Sequence, residues 1–195
     1  MQAKTQTLSD AIFPATTLFR DVVLITAFSL ITALAAQVAI PLPFTPVPIT
    51  GQTFAVLLGG ALLGAKRGAL SMLLYLSEGA IGLPVFAGGS SGFAKLAGPT
   101  GGYLIGFVVA AFLVGALAER GWDRRFWSAV AAMLIGEGAI YLFGLSWLAR
   151  FVPSGKVFTL GMLPFLPGDL IKILLAATAL PSAWAILRRL GLLHS

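Results

Sequence analysis

Residues 22–40 read VVLITAFSLITALAAQVAI, an unbroken run without a single charge. A helix that crosses a bilayer needs about 20 mostly apolar residues, so this run predicts a full membrane span. Working outward, the same signature recurs between breaks. Pro41, Pro43, Pro46 and Pro48 end the first run. A second covers 52–65 and stops at Lys66 and Arg67; a third covers 68–82 and stops before Pro84. Further runs cover 101–118, 126–148 and 168–187, the last closing on Arg188 and Arg189. The prediction is an all-α membrane protein, a compact bundle of six transmembrane helices. It forms one domain over 1–195, with 1–21 as a cytoplasmic N-terminal segment.

Composition supports this reading. Of 195 residues, 58% are hydrophobic and 10% charged, against about 45–50% and about 25% in soluble domains. Six spans with short loops leave no room for an added nucleotide-binding or catalytic domain. Cysteine is absent and His194 is the single histidine, which excludes thiolate metal sites and histidine-based triads.

Basic residues orient the bundle. With the N-terminus inside, the inner segments hold Lys4, Arg20, Lys66, Arg67, Arg120, Arg124, Arg125, Arg188 and Arg189. The outer segments hold only Lys95, Arg150 and Lys156. This positive-inside bias predicts both termini in the cytoplasm. Ala33-Leu34-Ala35 resembles a signal-peptide cleavage site. Cleavage there would leave five spans and break the alternation of charge, so a full span is the better reading.

Residues 59–66, GGALLGAK, miss the phosphate-cradling GxxxxGK[ST] pattern, with Ala65 before the lysine and Arg67 after it. They also end a span instead of joining a strand to a helix. Any ATPase must then be another chain. Charges at membrane depth are functional candidates, and Glu78, Glu137, Asp169 and Lys172 qualify. Asp169 and Lys172 are three residues apart on one helix face. They follow the helix-start signal Pro167-Gly168. A carboxylate, an ammonium and unpaired backbone amides there can grip a small polar molecule, or neutralise one another. Two outer loops, 41–48 and 85–99, lie at the same end and suit a lid. Small residues recur at Gly98, Gly102, Gly106 and Ala110, and at Ser29, Ala33 and Gln37, as helices packed closely in lipid require.

Four segments, taken together and in order, resemble the BioY family of biotin-specific substrate-binding (S) components of energy-coupling-factor (ECF) transporters. They are PVPITGQTFAVLLGGALLGAKRGALSMLLYL (46–76), GAIGLPVFAGG (79–89), GPTGGYLIGF (98–107) and PGDLIK (167–172). The resemblance implies biotin as ligand, no cofactor, and a pocket near the outer face. It implies pocket roles for Asp169 and Lys172, and a polar contact from the loop at Ser90 and Ser91. Tyr103 and Gln52 are further implied contacts, and Glu137 is a candidate from its depth alone. The implied partners are a transmembrane coupling subunit and cytoplasmic ATPases in a prokaryotic cell membrane. Ser29 and Ala33 would form the surface that meets the coupling subunit. Biotin offers two ureido N–H donors, one carbonyl and a tail carboxylate, and the sequence leaves its orientation open. The competing expectations are an S component for another vitamin and a proton- or ion-coupled secondary transporter.

Overall fold

The structure, a computed structural model, describes residues 6–14 and 17–191; Lys4 and His194 lie outside them. The helices are α1 (Leu8–Ile12), α2 (Leu18–Gln37), α3 (Gln52–Leu63), α4 (Ala65–Ala80), α5 (Phe93–Ala97), α6 (Gly101–Ala118), α7 (Phe126–Leu148), α8 (Val157–Gly161) and α9 (Leu166–Arg189). The strands β1 (Ala39–Ile40) and β2 (Ile49–Thr50) pair antiparallel, Ala39 opposite Thr50, and close the neck of the proline-rich loop.

Among the described residues, α2, α6, α7 and α9 are long and apolar enough to cross a membrane. The helices α3 and α4 have 12 and 16 residues, so at 1.5 Å per residue they extend about 18 and 24 Å. The break between them falls at Gly64, whose φ of +85° suits glycine. Lys66 and Arg67, read from the sequence as the end of a span, instead lie in the first turn of α4. There the Glu119 carboxylate accepts from the Ala65 N–H at 3.0 Å, occupying one of the amides a helix start leaves open.

Close packing explains much of the glycine content. A Cβ at Gly60 would lie 2.6 Å from the Ala111 carbonyl oxygen, and one at Gly102 2.3 Å from Trp147 Cβ. The small residues of α6 therefore set α3 on one side and α7 on the other at backbone distance, as helices without a hydrophobic drive between them require.

The small stripe of α2 corrects one expectation. Ser29 is fully buried and Ala33 nearly so, and the Ser29 hydroxyl donates to the Glu78 carboxylate of α4. Ser71 of α4 in turn donates to the Ile25 carbonyl at 3.0 Å. Ser29 thus ties α2 to α4, and both Ser29 and Ala33 are turned away from the surface of the described chain. Their size allows the close approach; the large side chains Leu30, Ile31 and Leu34 face outward.

Charges gather at the end of the bundle where α2, α4 and α7 begin and α6 and α9 finish. Asp10 accepts from Arg20 at 2.6 Å and from Arg67 at 2.7 Å, tying α1 to α2 and α4. Burial raises the Asp10 carboxyl's pKa, but hydrogen bonds from Thr7, Arg67 and Arg20 outweigh it and hold it below the usual range. Nearby, buried Asp123 accepts from Trp184 Nε1 at 2.6 Å, and Arg124 stacks on that indole 4.5 Å from the ring centroid. Burial pushes the Asp123 carboxyl above its ordinary value.

Candidate binding site

At the opposite end, a cavity partly open to solvent is walled by α3, α6, α7 and α9. The walls are largely apolar, with Phe86, Leu104, Phe107, Ile140 and Phe165 among them. The polar groups converge from α3, α7 and α9.

The first turn of α9 carries the centre. Asp169, only 4% exposed, accepts from Lys172 Nζ at 2.9 Å on Oδ1. Lys172 also donates to Thr53 Oγ1 at 2.8 Å, and that hydroxyl stands 3.5 Å from Asp169 Oδ1. The other carboxylate oxygen accepts from the Tyr141 hydroxyl. Glu137, one turn before Tyr141 on α7, is buried and lines the same cavity. Two carboxylates and one ammonium therefore share a desolvated wall. Charge-assisted hydrogen bonds are strong in such surroundings.

Gln52 and Tyr103 also line the cavity. Gln52 Nε2 donates to the Tyr75 hydroxyl at 2.6 Å, and Tyr75 donates to the Val85 carbonyl at 2.9 Å. The Tyr103 hydroxyl donates to the Gly161 carbonyl at 2.8 Å, tying α6 to α8. Both side chains brace the walls. Ser90 and Ser91 do not line the cavity. Ser90 is consumed locally: its hydroxyl donates to the Ala87 carbonyl at 2.8 Å, while its own carbonyl accepts from the Phe86 N–H at 3.0 Å. From this loop, Phe86, Ala87 and Lys95 reach the cavity.

The sequence reading missed Thr53, Tyr141 and Lys95. Tyr141 carried a signal, since it follows Glu137 by four residues and so shares its helix face. Thr53 offers only its place at the start of a span, and Lys95 only its charge in an outer loop. Among the described residues no group of three His, Asp or Glu side chains is placed to hold a metal ion.

Comparison with known proteins bears on what this arrangement does. The model of the BioY family matches residues 3–189. The chain belongs to the BioY family. Among BioY relatives, a probable biotin transporter of Pyrococcus horikoshii is 46% identical over 160 residues, 82% of this chain and 91% of that protein. A biotin transporter of Thermotoga maritima is 42% identical over 77% of this chain and 87% of its own. The crystal structure of the S-component for biotin from an ECF-type ABC transporter superposes with a TM-score of 0.73 at 29% identity. It covers 93% of this chain and 97% of the other. These BioY relatives are transporters, and with its apolar helices the chain is a multi-pass membrane protein.

Proposed function

We propose that this chain binds biotin and takes it up as the S component of an ECF-type ABC transporter. The observation that carries the reading is the pair of buried Asp169 with half-buried Lys172, 2.9 Å apart, facing an apolar cavity in a BioY-family chain. Biotin is a compact bicycle with polar edges. Asp169 has lone pairs to accept a ureido N–H, and Lys172 and Thr53 can donate to the ureido carbonyl. The aromatic and aliphatic walls bury the ring system. Glu137 is a further acceptor beside them. Biotin is the cargo, and we assign no cofactor.

The proposal includes six spans, with α3 and α4 as the short second and third, and both termini cytoplasmic. It places the chain in the cytoplasmic membrane of a prokaryote. The cavity then opens outward, and the cluster around Arg67 and Asp123 lies inside. A transmembrane coupling subunit and cytoplasmic ATPases supply the energy, in keeping with the likeness to the S-component of an ECF-type ABC transporter.

The test is the affinity of the purified chain for biotin, riboflavin and thiamine, with Asp169→Asn alongside. Tight, selective biotin binding that the substitution weakens supports the reading. Preference for another vitamin would refute it.

A further inference from the structure

The end of the bundle away from the cavity has two unlike halves. On the half built from α1, α2 and α4, acids and bases are matched. Asp10 pairs with Arg20 and Arg67, and Asp21 with the same two arginines at 3.4 and 3.3 Å. On the other half α6 ends, α7 begins and α9 ends. Arg120, Arg124, Arg125, Arg188 and Arg189 are all exposed there. Among the described residues no carboxylate lies within ion-pair distance of any of them. The acids of those same segments turn elsewhere. Glu119 accepts from the Ala65 N–H at 3.0 Å, and Asp123 is buried against Trp184 Nε1 at 2.6 Å.

The fold gathers these arginines. Arg124 stacks on Trp184 of α9, 4.5 Å from the ring centroid. Arg188 follows Trp184 by four residues and so lies on the same helix face, one turn nearer the end. The one hydrogen bond of the Arg124 guanidinium, to the Gln6 carbonyl, is long at 3.5 Å. Exposed Trp127 stands in the first turn of α7, and exposed Ile186 in the last turns of α9. Cations at the ends of apolar helices, with an exposed indole beside them, meet the headgroup layer of a bilayer. A guanidinium fork matches the oxygens of a phosphate. A zwitterionic lipid brings its own cation to that phosphate; an anionic lipid supplies the counter-charge this half of the bundle lacks.

We infer that the α6–α7 turn and the end of α9 form a headgroup site for an anionic phospholipid of the inner leaflet, with Arg124 and Arg188 clasping its phosphate. The inference rests on the membrane orientation proposed above and not on the identity of the cargo.

The test uses the purified chain in a neutral detergent doped with phosphatidylglycerol or with phosphatidylcholine of the same acyl chains, and native mass spectrometry measures how much of each is bound. The wild-type chain should prefer phosphatidylglycerol by about ten-fold or more, since each basic residue near the surface adds about five-fold for an anionic lipid. In Arg124→Gln/Arg188→Gln the preference should fall below about two-fold. Arg124→Lys/Arg188→Lys should keep most of it, because the charge remains. Lys66→Gln/Lys156→Gln, which removes the same net charge from exposed lysines elsewhere, should keep it in full. Glycerol phosphate, with the charge but no acyl chains, should not displace phosphatidylglycerol at equal concentration. Equal binding of the two lipids would overturn the inference. So would a preference that survives Arg124→Gln/Arg188→Gln, one lost equally in Lys66→Gln/Lys156→Gln, or displacement by glycerol phosphate. Biotin affinity, measured on the same variants, should change less than about two-fold because the cavity lies at the other end; its failure in the wild-type chain would refute the biotin reading and leave the lipid site standing.

Discussion

Tyr141 and Lys172 hold opposite oxygens of the same carboxylate, that of Asp169. Between them they fix its plane, so the lone pairs that remain point in set directions. A carboxylate oriented before the ligand arrives costs less to order on binding. Tyr141→Phe should therefore weaken biotin binding by about five-fold, near the worth of one neutral hydrogen bond. Asp169→Asn removes the acceptor charge itself and should cost ten-fold or more, about one charged hydrogen bond. Calorimetric titration of the purified variants checks the order; a Tyr141→Phe loss as large as that of Asp169→Asn would contradict it.

Lys172 has a structural duty that Asp169 lacks. Without its ammonium, Asp169 and Glu137 would be buried together with no counter-charge beside them. Breaking a buried ion pair by removing one partner typically costs about 3–5 kcal/mol. Lys172→Met should accordingly lower the thermal midpoint in detergent much more than Asp169→Asn does. The double variant Asp169→Asn/Lys172→Met should recover part of the loss, because one of the stranded charges is gone. If the two single variants melt alike, the wall does not depend on Lys172.

These two predictions differ in how far the sequence announced them. The Asp169–Lys172 pair was legible because three residues on a helix bring side chains to one face whatever the tertiary fold. Thr53 was not, since its partner lies 119 positions away and only the packing of α3 on α9 brings them together. The serines at 90 and 91 looked available because they were polar and in an outer loop. A local turn takes up the hydroxyl of Ser90, and the aromatic neighbour Phe86 goes inward instead. Small residues at 29 and 33 correctly signalled close helix contact. Nothing in their spacing said whether the contact was with α4 or with another chain. The break at Gly64 shows the same limit: basic residues mark a membrane boundary, but they can sit inside the first helical turn beyond it.

Gly79 anchors the loop over the cavity, and its lack of a side chain is what allows this. A Cβ there would lie 2.0 Å from the Phe86 ring, which is fully buried at that spot and stacks edge-on against Tyr75, 5.5 Å between centroids. Gly79→Ala should expel the Phe86 ring, at an overpacking cost of about 1–3 kcal/mol. It should also loosen the segment from Phe86 to Lys95. Biotin should then dissociate about ten-fold faster, since interface changes act mainly on off-rates. Trypsin should cleave after Lys95 sooner than in the wild-type chain. Unchanged dissociation and cleavage would show that Phe86 does not hold the loop.

At the far end of the bundle, Asp10 and Asp123 should give opposite pH dependences. Asp10 has its pKa lowered in the folded chain, because the donors Thr7, Arg67 and Arg20 outweigh the effect of burial. Its stabilising contribution is complete above the unfolded value of about 4 and is lost as pH falls through the lowered folded value. Asp10→Asn should thus lower the melting temperature at neutral pH, by an amount equivalent to about 1 kcal/mol after allowance for solvent screening. The difference should close in acid. Asp123 has its pKa raised by burial, so the folded chain holds that proton more tightly than the unfolded chain does. Its effect on stability therefore declines as pH rises from the unfolded value through the raised folded one. Trp184→Phe removes the indole N–H that supports the charged form, while Oδ1 has no hydrogen-bond partner among the described residues. That variant should match the wild-type chain best in acid and fall behind progressively toward neutral pH, by about 1–3 kcal/mol. Melting curves of the three proteins across pH decide the matter: parallel pH profiles for Trp184→Phe and the wild-type chain would mean that Asp123 does not ionise there.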